Sequence, residues 1–431
     1  MLIKFLIDRL KIKFVSDTIW TMVGMVVVGC SGLLLQTLIG HHSITTLGIY
    51  SQVIVLYTLF TAISCMGIET STLKYISENI EDKFKMGSIL TSSILIMIVS
   101  STLVISTLYV FSFFGISIFS TVEVEKSFSY IVFAIPLFAI NKNFIAVFNA
   151  AREMKRYSIA RTLRWTLICL FTIISILLEK GIEYCLYAYF ITELILAIYF
   201  FIFFREWFTL KGVGFWIKKH LIYGLMGLFM TVLNEMNNNL LVLIAGYYLS
   251  LKEIGVIAFV MTFTKTINII SSAIQINFNP LFVECFKNKA LDSVRTHIYK
   301  IFKIVKYTAI PLFASSLLGY YLYTSFFMGS DFNNTFGLYV IVAVGALLCF
   351  CFQWTSSMLV LSREFKGEVV RVIVVFVFKI CVTFLFTKYI GIIGNVLSYT
   401  ITELISVAIS FYLIDKLLHF NLLKLSIQRS K

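Results

Sequence analysis

The sequence YFITELI at residues 189–195 returns as YTITELI at residues 399–405, 210 residues later. Six of the seven positions are identical, and each copy lies inside an apolar run long enough to cross a bilayer. Each copy therefore places one glutamate, Glu193 or Glu403, near the middle of a membrane-spanning segment. This pair of stretches predicts that the chain is one unit of about 210 residues used twice.

Three further matches occur at nearly the same offset. They are REMK at 152–155 with REFK at 363–366, Arg161 with Arg371, and GIYS at 48–51 with GVIA at 255–258. One short match could be chance in so hydrophobic a chain, but four in one register indicate an internal duplication.

The composition excludes a water-soluble domain. Hydrophobic residues make up 59% of the 431 and charged residues only 13%, so lipid has to solvate most of the surface. The net charge of +14 would suggest nucleic acid in a soluble chain, but the basic residues lie in short segments between apolar runs. We therefore predict an all-α polytopic membrane protein whose partner is the bilayer and not nucleic acid.

Windows of about 20 apolar residues predict twelve spans. They lie near 17–39, 45–68, 88–110, 127–149, 160–178, 183–204, 221–246, 252–278, 304–328, 335–361, 369–388 and 392–414. Six spans per repeat make both halves enter the membrane from the same side, so the two six-helix lobes should be parallel. The fourth span contains Pro136, which is predicted to kink it.

The predicted domains are an N-terminal lobe at 1–204, an interfacial linker at 205–220 and a C-terminal lobe at 221–431. The linker mixes aromatic residues with lysines, a composition typical of a segment in the headgroup layer.

The distribution of basic residues predicts the orientation. Of the 36 Lys and Arg residues, four lie in the loops on one side and three inside spans. The remaining 29 lie in the termini, in the even-numbered loops and at the span ends beside them. Cytoplasmic segments carry the excess of basic residues, so both termini are predicted to be cytoplasmic.

The sequence contains no motif for known catalytic chemistry. It lacks a Walker-type phosphate loop, the metalloprotease and serine-hydrolase motifs, and clustered metal ligands. We therefore predict that the chain is not an enzyme and has no cofactor or metal site, apart from a coupling ion, H⁺ or Na⁺.

Three lysines lie inside predicted spans, namely Lys142, Lys265 and Lys379. A lysine facing lipid is costly, so each should face a water-filled space or a counter-charge. Three cations of this kind could bind a diphosphate or an acidic sugar. Alternatively, they pair with Glu193, Glu235 or Glu403 and hold helices together.

Amide side chains cluster in the seventh span, where Asn237, Asn238 and Asn239 follow Glu235, and Asn141 lies in the fourth. Amides donate and accept hydrogen bonds, so they suit sugar hydroxyls beside water or in an unwound helix. An interhelical amide network is the structural alternative.

Three glutamates inside spans are candidates for ion coupling: Glu193, Glu235 and Glu403. A carboxyl group in a low-dielectric interior can hold a proton and release it when water arrives. For the repeated pair, a protonated, hydrogen-bonded structural glutamate is the alternative, and Glu235 is the better coupling candidate.

Several short stretches together resemble a known family. They are LGIYS at 47–51, GIETS at 67–71, KYISE at 74–78, YYLS at 247–250, EIG at 253–255 and Asn279-Pro280. They resemble the polysaccharide-transporter branch, with the O-antigen flippases, of the multidrug/oligosaccharidyl-lipid/polysaccharide superfamily. The resemblance extends over the whole chain in length, span number and repeat.

The resemblance implies two six-helix lobes around a central cavity. It implies a bacterial inner-membrane flippase that moves an undecaprenyl-diphosphate-linked oligosaccharide to the outer leaflet. Glycosyltransferases and a glycan polymerase of the same pathway are further candidate partners. The alternatives are a multidrug or cation antiporter of the same superfamily and a membrane glycan polymerase. Three membrane lysines argue against the first, and the missing catalytic motif argues against the second.

Overall fold

The computed structural model describes the backbone of residues 2–287, 291–328, 330–362 and 365–418. This part of the chain is helical and contains no β-strand. Its helices are α1 Leu2–His42, α2 Ile44–Cys65, α3 Ile68–Glu78, α4 Lys83–Phe113, α5 Val122–Phe128, α6 Ala134–Ala150, α7 Met154–Leu177, α8 Ile182–Phe203, α9 Val213–Tyr248, α10 Leu251–Lys287, α11 Leu291–Phe327, α12 Phe336–Phe352, α13 Trp354–Leu361, α14 Phe365–Ile390 and α15 Ile392–Leu418, with a short 3-10 helix at Ser330–Thr335.

Each of the twelve predicted spans coincides with a helix, or with the pair α12 and α13 for the tenth. In the described residues, ten helical segments are long and apolar enough to cross a membrane. The other two predicted spans correspond to α6, an apolar helix of 17 residues, and α10, which has 37. A helix satisfies its own backbone hydrogen bonds, so it is the form that an apolar run adopts in lipid. The predicted all-α polytopic fold is confirmed.

The chain divides into two compact units. The first consists of Met1–Leu38 and Ile49–Asn239, and the second of Ile39–Gly48 and Leu240–Lys431. The division falls within α9, downstream of the predicted linker at 205–220. Half of that linker is helical, because α9 begins at Val213.

The core of the first unit is rich in aromatic side chains. Phe144 and Phe148 of α6 pack with Phe200 of α8 and with Phe204, and the rings of Phe144 and Phe204 are stacked with centroids 5.2 Å apart. Trp216 of the predicted linker is buried in the same cluster. This contact holds the beginning of α9 against the first unit.

A break separates α2 from α3 at Met66 and Gly67, which both have positive φ angles, 49° and 67°. A side chain at Gly67 would overlap the backbone of α9, because an added Cβ would lie 2.5 Å from the carbonyl oxygen of Gly224. Glycine is therefore required both by the left-handed conformation and by the close approach of α9. The membrane-spanning helix of the predicted second span therefore ends at Cys65, and the chain continues after the break as α3.

The predicted kink at Pro136 is wrong. Helix α6 begins at Ala134, after a series of turns from Ser129 to Phe133. Pro136 therefore lies in the first turn of the helix, where the missing N–H has no intrahelical acceptor to satisfy. Proline here starts the helix and does not bend it.

The core of the second unit is formed mainly by α10, α11, α12, α13 and α15. Its buried side chains include Phe350, Trp354 and Met358, which lie at and just after the junction of α12 and α13. Helix α14 packs along α15, its neighbour in sequence. Helix α10 continues beyond the predicted eighth span, through Asn279-Pro280 to Lys287.

Two glycines that correspond in the repeat contact each other within the second unit. A Cβ on Gly48 would overlap the carbonyl oxygen of Leu251, and a Cβ on Gly255 would overlap that of Ile44. Each added Cβ would also lie within 3.2 Å of the other glycine's backbone nitrogen. The start of α2 and the start of α10 therefore cross with their backbones in contact, a geometry that only glycine allows at these two positions.

Candidate functional site

Glu193 lies at the centre of a buried hydrogen-bond network in the first unit. Its side chain, on α8, is fully buried. Arg164 of α7 donates from Nε to its Oε1 at 2.5 Å, and Asn141 of α6 donates to its Oε2 at 2.8 Å. Tyr57 of α2 donates to Oε1 at 3.4 Å, and Asn141 also donates to the Glu193 backbone carbonyl at 2.9 Å. Side chains from three other helices therefore converge on one carboxylate.

Arg164 is the cation that compensates Glu193. Its side chain is 8% exposed, and its guanidinium carbon lies 3.8 Å from the centroid of the Phe138 ring. A guanidinium between a carboxylate and an aromatic face gains both an ion pair and a cation–π contact. Loss of either charged partner would leave an uncompensated charge in the interior. The contact favours the structural interpretation of Glu193.

The sequence interpretation missed Arg164. The available signal was an arginine near the start of the fifth span, but the repeat favours Arg161, three residues earlier. In the structure Arg161 donates to the hydroxyl of Tyr157 at 3.1 Å. Arg164 lies deeper in the predicted span than Arg161, and this depth indicated the buried cation better than the repeat did.

Two tyrosines extend this network. The hydroxyl groups of Tyr50 and Tyr189 lie 2.5 Å apart, and the Tyr189 ring contacts Tyr57 edge-on with centroids 5.7 Å apart. Both tyrosines are buried. The network therefore connects α2 and α8 through hydroxyl groups as well as through the carboxylate.

Lys142 pairs with Glu69, whereas its neighbour Asn141 binds Glu193. The Nζ of Lys142 lies 3.8 Å from Oε1 of Glu69, in the first turn of α3 just after the helix break. The Lys142 side chain is 28% exposed and that of Glu69 is 14% exposed. Glu235 of α9 contributes to the electrostatic field at Lys142. Glu69 is not among the counter-charges that the sequence predicts for this lysine, which are Glu193, Glu235 and Glu403.

The amide cluster lies on a continuous helix. Helix α9 runs through it from Val213 to Tyr248, so the predicted alternative of a locally unwound helix is wrong. Asn239 donates to the backbone carbonyl of Glu235 at 3.1 Å and to its Oε2 at 3.4 Å. Asn238 is exposed, whereas Asn237 and Asn239 are partly buried. The cluster is thus polar on more than one face of the helix.

Glu403 has different surroundings in the second unit. It is partly buried on α15, and the cations that act on its carboxylate are Lys379 and Arg371 of α14. Lys379 is buried, with its Nζ 5.7 Å from the centroid of the Tyr399 ring. Within the described residues, no hydrogen bond ends on the Glu403 carboxylate.

Arg371 is held by another acid. It donates from Nε to Oε2 of Glu368 at 2.8 Å and from Nη2 to Oε1 at 2.6 Å, which is a bidentate pair. Its Nη1 and Nη2 also donate to Ser406 at 2.8 Å and to Ser356 at 3.1 Å. The guanidinium therefore influences Glu403 by its charge and not by direct contact.

The predicted site residues are distributed over both units. Asn141, Lys142, Glu193, Glu235 and the three neighbouring asparagines belong to the first unit, whereas Lys265, Lys379 and Glu403 belong to the second. Lys265 is exposed on α10. A joint role of the three lysines stays a prediction. In the described part of the chain, no three His, Cys, Asp or Glu side chains are placed to hold a metal ion.

Several solved structures share the fold of this chain. The chain is similar to "Lipid II flippase MurJ, inward closed conformation", with a TM-score of 0.70, 13% identity, and 96% of this chain and 90% of the other covered. It is similar to an inward-facing multidrug resistance MATE family transporter of the MOP superfamily, with a TM-score of 0.69, 13% identity and coverages of 95% and 100%. The MATE multidrug transporter DinF-BH gives a TM-score of 0.68, 14% identity and coverages of 94% and 95%. The chain therefore has the fold of this superfamily.

The family of the chain follows from its sequence. Residues 15–286 match the family model described as polysaccharide biosynthesis protein. The chain belongs to that family, and the predicted resemblance is confirmed. No curated protein matches the chain significantly.

Proposed function

We propose that this chain is a flippase for a lipid-linked oligosaccharide of cell-surface polysaccharide synthesis. Its substrate would be an undecaprenyl-diphosphate-linked glycan, moved from the cytoplasmic to the outer leaflet for O-antigen, capsule or exopolysaccharide. The observation that carries this proposal is membership in the polysaccharide biosynthesis family. The superfamily fold supports it, because rocking of two helical lobes carries a polar group across the membrane without exposing it to hydrocarbon.

The diphosphate of such a substrate requires cations. Lys142 is our first candidate, since it is more than one quarter exposed although it lies in an apolar helix. Its contact with Glu69 is 3.8 Å long, longer than a close charge-assisted hydrogen bond. A phosphate group could therefore compete for this ammonium group. Lys265 and Lys379 are the further candidates.

The glycan requires hydrogen-bonding groups beside water. Asn237, Asn238 and Asn239 are assigned to it because they are exposed or only partly buried on α9. Asn141 is assigned to the Glu193 network instead, because both the residue and its acceptor are fully buried.

Ion coupling, by H⁺ or Na⁺, is proposed for Glu235 and Glu403. Both are partly buried, Glu235 beside the amide of Asn239 and Glu403 in the electrostatic field of Lys379 and Arg371. The proposed location is a bacterial inner membrane with both termini cytoplasmic, as the distribution of basic residues predicts. Glycosyltransferases and a glycan polymerase of the same pathway would supply and consume the lipid-linked glycan.

The test is a leaflet assay in a strain whose own flippase for a known glycan is deleted. Expression of this chain should restore access of an external glycosidase or lectin to the lipid-linked glycan in intact cells. Accumulation of the glycan on the cytoplasmic side despite a folded, membrane-inserted protein would refute the proposal for that glycan. Protection of the same cells from cationic drugs would favour the multidrug antiporter instead.

A matched pair of lysine variants sharpens the test. Lys142→Ala should reduce glycan export about tenfold, and Lys142→Arg should retain part of it, because arginine also binds phosphate. Lys126→Ala, in a predicted external loop, is the control and should export normally. Normal export by Lys142→Ala at equal protein levels would remove this lysine from the site.

A further inference from the structure

Aromatic side chains cluster where the end of α3 packs on the beginning of α9, within the first unit and outside the site described above. Tyr75 of α3 lies at the centre. Its ring contacts Trp216, His220 and Tyr223 of α9, with centroids 5.3, 5.7 and 6.0 Å away. The three residues are spaced by about one helical turn, so they lie on one face of α9. These four residues form the Tyr75 cluster.

Buried neighbours fix the α9 side of the Tyr75 cluster. Trp216 packs in the aromatic core of the first unit. His220 is fully buried, with its Nε2 3.2 Å from the carbonyl oxygen of Ile89 and its Nδ1 2.8 Å from the hydroxyl of Ser71. A carbonyl oxygen only accepts, so Nε2 donates to it, and Nδ1 of the neutral imidazole accepts from Ser71. Hydrogen bonds as well as ring contacts therefore attach the start of α9 to α3 and α4.

Two lysines contact the ring of Tyr75. The Nζ of Lys74 lies 5.3 Å from its centroid and 4.3 Å from that of Tyr223. The Nζ of Lys219 lies 5.8 Å from the Tyr75 centroid and 4.4 Å from that of Phe215. Phe215 and Tyr223 are eight residues apart, which is about 12 Å along the axis of α9. The two ammonium groups therefore occupy separate positions, and both are close to one ring.

A second ring in the same unit also contacts two cations. Phe138 has its centroid 3.8 Å from the guanidinium carbon of Arg164 and 5.8 Å from Nζ of Lys142. Each of those cations has its own carboxylate, Glu193 for Arg164 and Glu69 for Lys142. Two like charges near one ring repel each other, and the carboxylates offset this repulsion. At Phe138 the chain itself supplies both anions.

At the Tyr75 cluster the described residues supply no anion, because neither of its two lysines pairs with a carboxylate. Asp82, after the end of α3, pairs with Lys85 at 3.1 Å. Glu78 and Glu81, the other acids near the end of α3, are exposed and pair with neither lysine. Both lysines are partly exposed. Two such cations at one ring indicate a binding site for an anion from outside the chain.

The position of the cluster indicates the kind of anion. The nearest membrane-spanning segments are Ile44–Cys65, Lys83–Phe113 and Gly227–Tyr248. The cluster lies between the ends of these segments, on the side predicted to be cytoplasmic. It is flanked on α9 by Phe215 and Ile222, whose side chains are 60% and 58% exposed. Exposed apolar side chains beside cations are typical of the headgroup level, so a lipid phosphate fits this site better than a free phosphate.

We propose that the Tyr75 cluster, with Lys74 and Lys219, binds the headgroup of a lipid of the cardiolipin class. Such a lipid carries two phosphates joined through glycerol, and basic pockets between membrane helices on the cytoplasmic side bind headgroups of this kind. The bound lipid would connect α3 with α9. It is a resident lipid of the membrane and not the transported one, so the inference does not depend on the proposed function.

The spacing of the two cations favours this class of lipid. A glycerol link lets two phosphates separate far enough to reach both ammonium groups. The two phosphorus atoms of a prenyl diphosphate share one oxygen atom and cannot separate in this way. A phospholipid with a single phosphate neutralises only one of the two lysines.

The test is native mass spectrometry of the full-length protein in detergent, titrated with tetraoleoyl cardiolipin. One cardiolipin should bind to the wild type at least about fivefold more tightly than dioleoyl phosphatidylglycerol, because its second phosphate contacts a second lysine. Lys74→Gln/Lys219→Gln should weaken cardiolipin binding roughly 25-fold, about fivefold for each lysine. Lys74→Arg/Lys219→Arg should retain most of the affinity, because arginine keeps the charge and binds to aromatic faces.

A second double variant controls for the loss of net charge. Lys85→Gln/Lys211→Gln removes two exposed lysines of the same surface that contact no aromatic ring among the described residues, and it should bind cardiolipin as the wild type does. Equal weakening in the two glutamine double variants would indicate general surface attraction and would overturn the proposal. Unchanged binding in Lys74→Gln/Lys219→Gln, or equal affinities for the two lipids, would overturn it as well.

Thermal unfolding gives an independent readout, because a ligand of the folded state raises the melting temperature. Cardiolipin should stabilise the wild type and the Lys85→Gln/Lys211→Gln control, but not Lys74→Gln/Lys219→Gln. If that variant does not fold, Lys219→Gln alone should lose about fivefold in cardiolipin affinity. The same stabilisation by cardiolipin in every variant would contradict the site.

Competition separates this site from substrate binding. Excess farnesyl diphosphate should leave cardiolipin bound, and displacement would assign the cluster to a prenyl diphosphate and overturn the proposal. Glycan export is measured separately on the same variants. Cardiolipin binding without export would contradict only the flippase function, and export without cardiolipin binding would contradict only this site.

Discussion

Glu193 and Glu403 have nearly the same local sequence and different environments. Glu193 is fully buried and accepts hydrogen bonds from Arg164, Asn141 and Tyr57. Glu403 is partly buried, and the two cations near it are a lysine over a tyrosine ring and an arginine that is paired with Glu368. Both copies of the repeat have kept the glutamate, but only the first copy has an arginine that pairs with it.

The register of the repeat explains how this difference arose. At an offset of 210, Arg164 corresponds to Val374, and Lys379 corresponds to Cys169. Each unit has therefore placed its cation at a position where the other has an apolar or weakly polar residue. The first copy therefore fixes helices through an ion pair, whereas the second is the acid that we propose for ion coupling.

The largest expected effect is the loss of stability when Arg164, the partner of Glu193, is replaced. Arg164→Leu leaves Glu193 buried without its counter-charge, which should lower the stability of the folded protein by about 3–5 kcal/mol. Thermal unfolding in detergent, followed by size-exclusion chromatography, measures the change. The double variant Arg164→Leu/Glu193→Leu should recover part of the loss. If the single variant melts like the wild type, the ion pair does not hold the first unit together.

The same substitution in both copies compares the two acids directly. Glu193→Gln keeps the shape but leaves the Arg164 guanidinium unpaired, so it should destabilise the protein by about 3 kcal/mol. Glu403→Gln leaves no guanidinium unpaired, because Arg371 is held by Glu368, and should destabilise the protein less than Glu193→Gln does. Equal melting temperatures of the two variants would contradict the distinction drawn between the units.

A smaller effect is expected for the amide of the network. Asn141→Leu removes two hydrogen bonds to Glu193, one of them to its charged group, and should cost about 2 kcal/mol. Asn238→Leu, at an exposed amide of α9, is the control and should leave the melting temperature almost unchanged. A stability loss in the control of the same size would indicate that the α9 amides also form a structural network.

The smallest expected change is in the pH dependence of transport. In an export assay with a varied proton gradient, Glu403→Gln should fold normally and reduce the response of export to pH. The reason is that the amide cannot bind or release a proton. Glu368→Gln is a suitable comparison, because that acid is held by Arg371 and is not proposed to titrate during transport. An unaltered pH response in Glu403→Gln would assign Glu403 to structure, like Glu193.

The helices could be predicted from sequence because a chain in lipid can satisfy its backbone hydrogen bonds in only a few ways. An apolar run in a bilayer has to satisfy its own backbone, so hydropathy alone located all twelve segments. Helix ends are determined by local turns, which a hydropathy window averages over. For this reason Pro136 was placed inside a helix that begins only two residues before it.

The partners of the charged groups could not be predicted in the same way. Arg164 and Glu193 are 29 residues apart on different helices, and their contact depends on how α7 and α8 pack. The break at Met66 and Gly67 likewise depends on the approach of α9, which no local pattern reports. The stretch that contains Gly67 belongs to the family resemblance, but the resemblance did not indicate a break between α2 and α3.

The contact between Gly48 and Gly255 has a consequence for the history of this chain. The two glycines correspond in the duplicated sequence, so each one meets its own copy. In a single-repeat ancestor, such a contact would require two chains to associate, as identical surfaces do in a symmetric dimer. After gene fusion the two positions could mutate separately, yet each remains restricted by its duplicate, because any larger residue at one would collide with the backbone beside the other. Natural variation at these two codons should therefore be jointly restricted, even though 207 positions separate them.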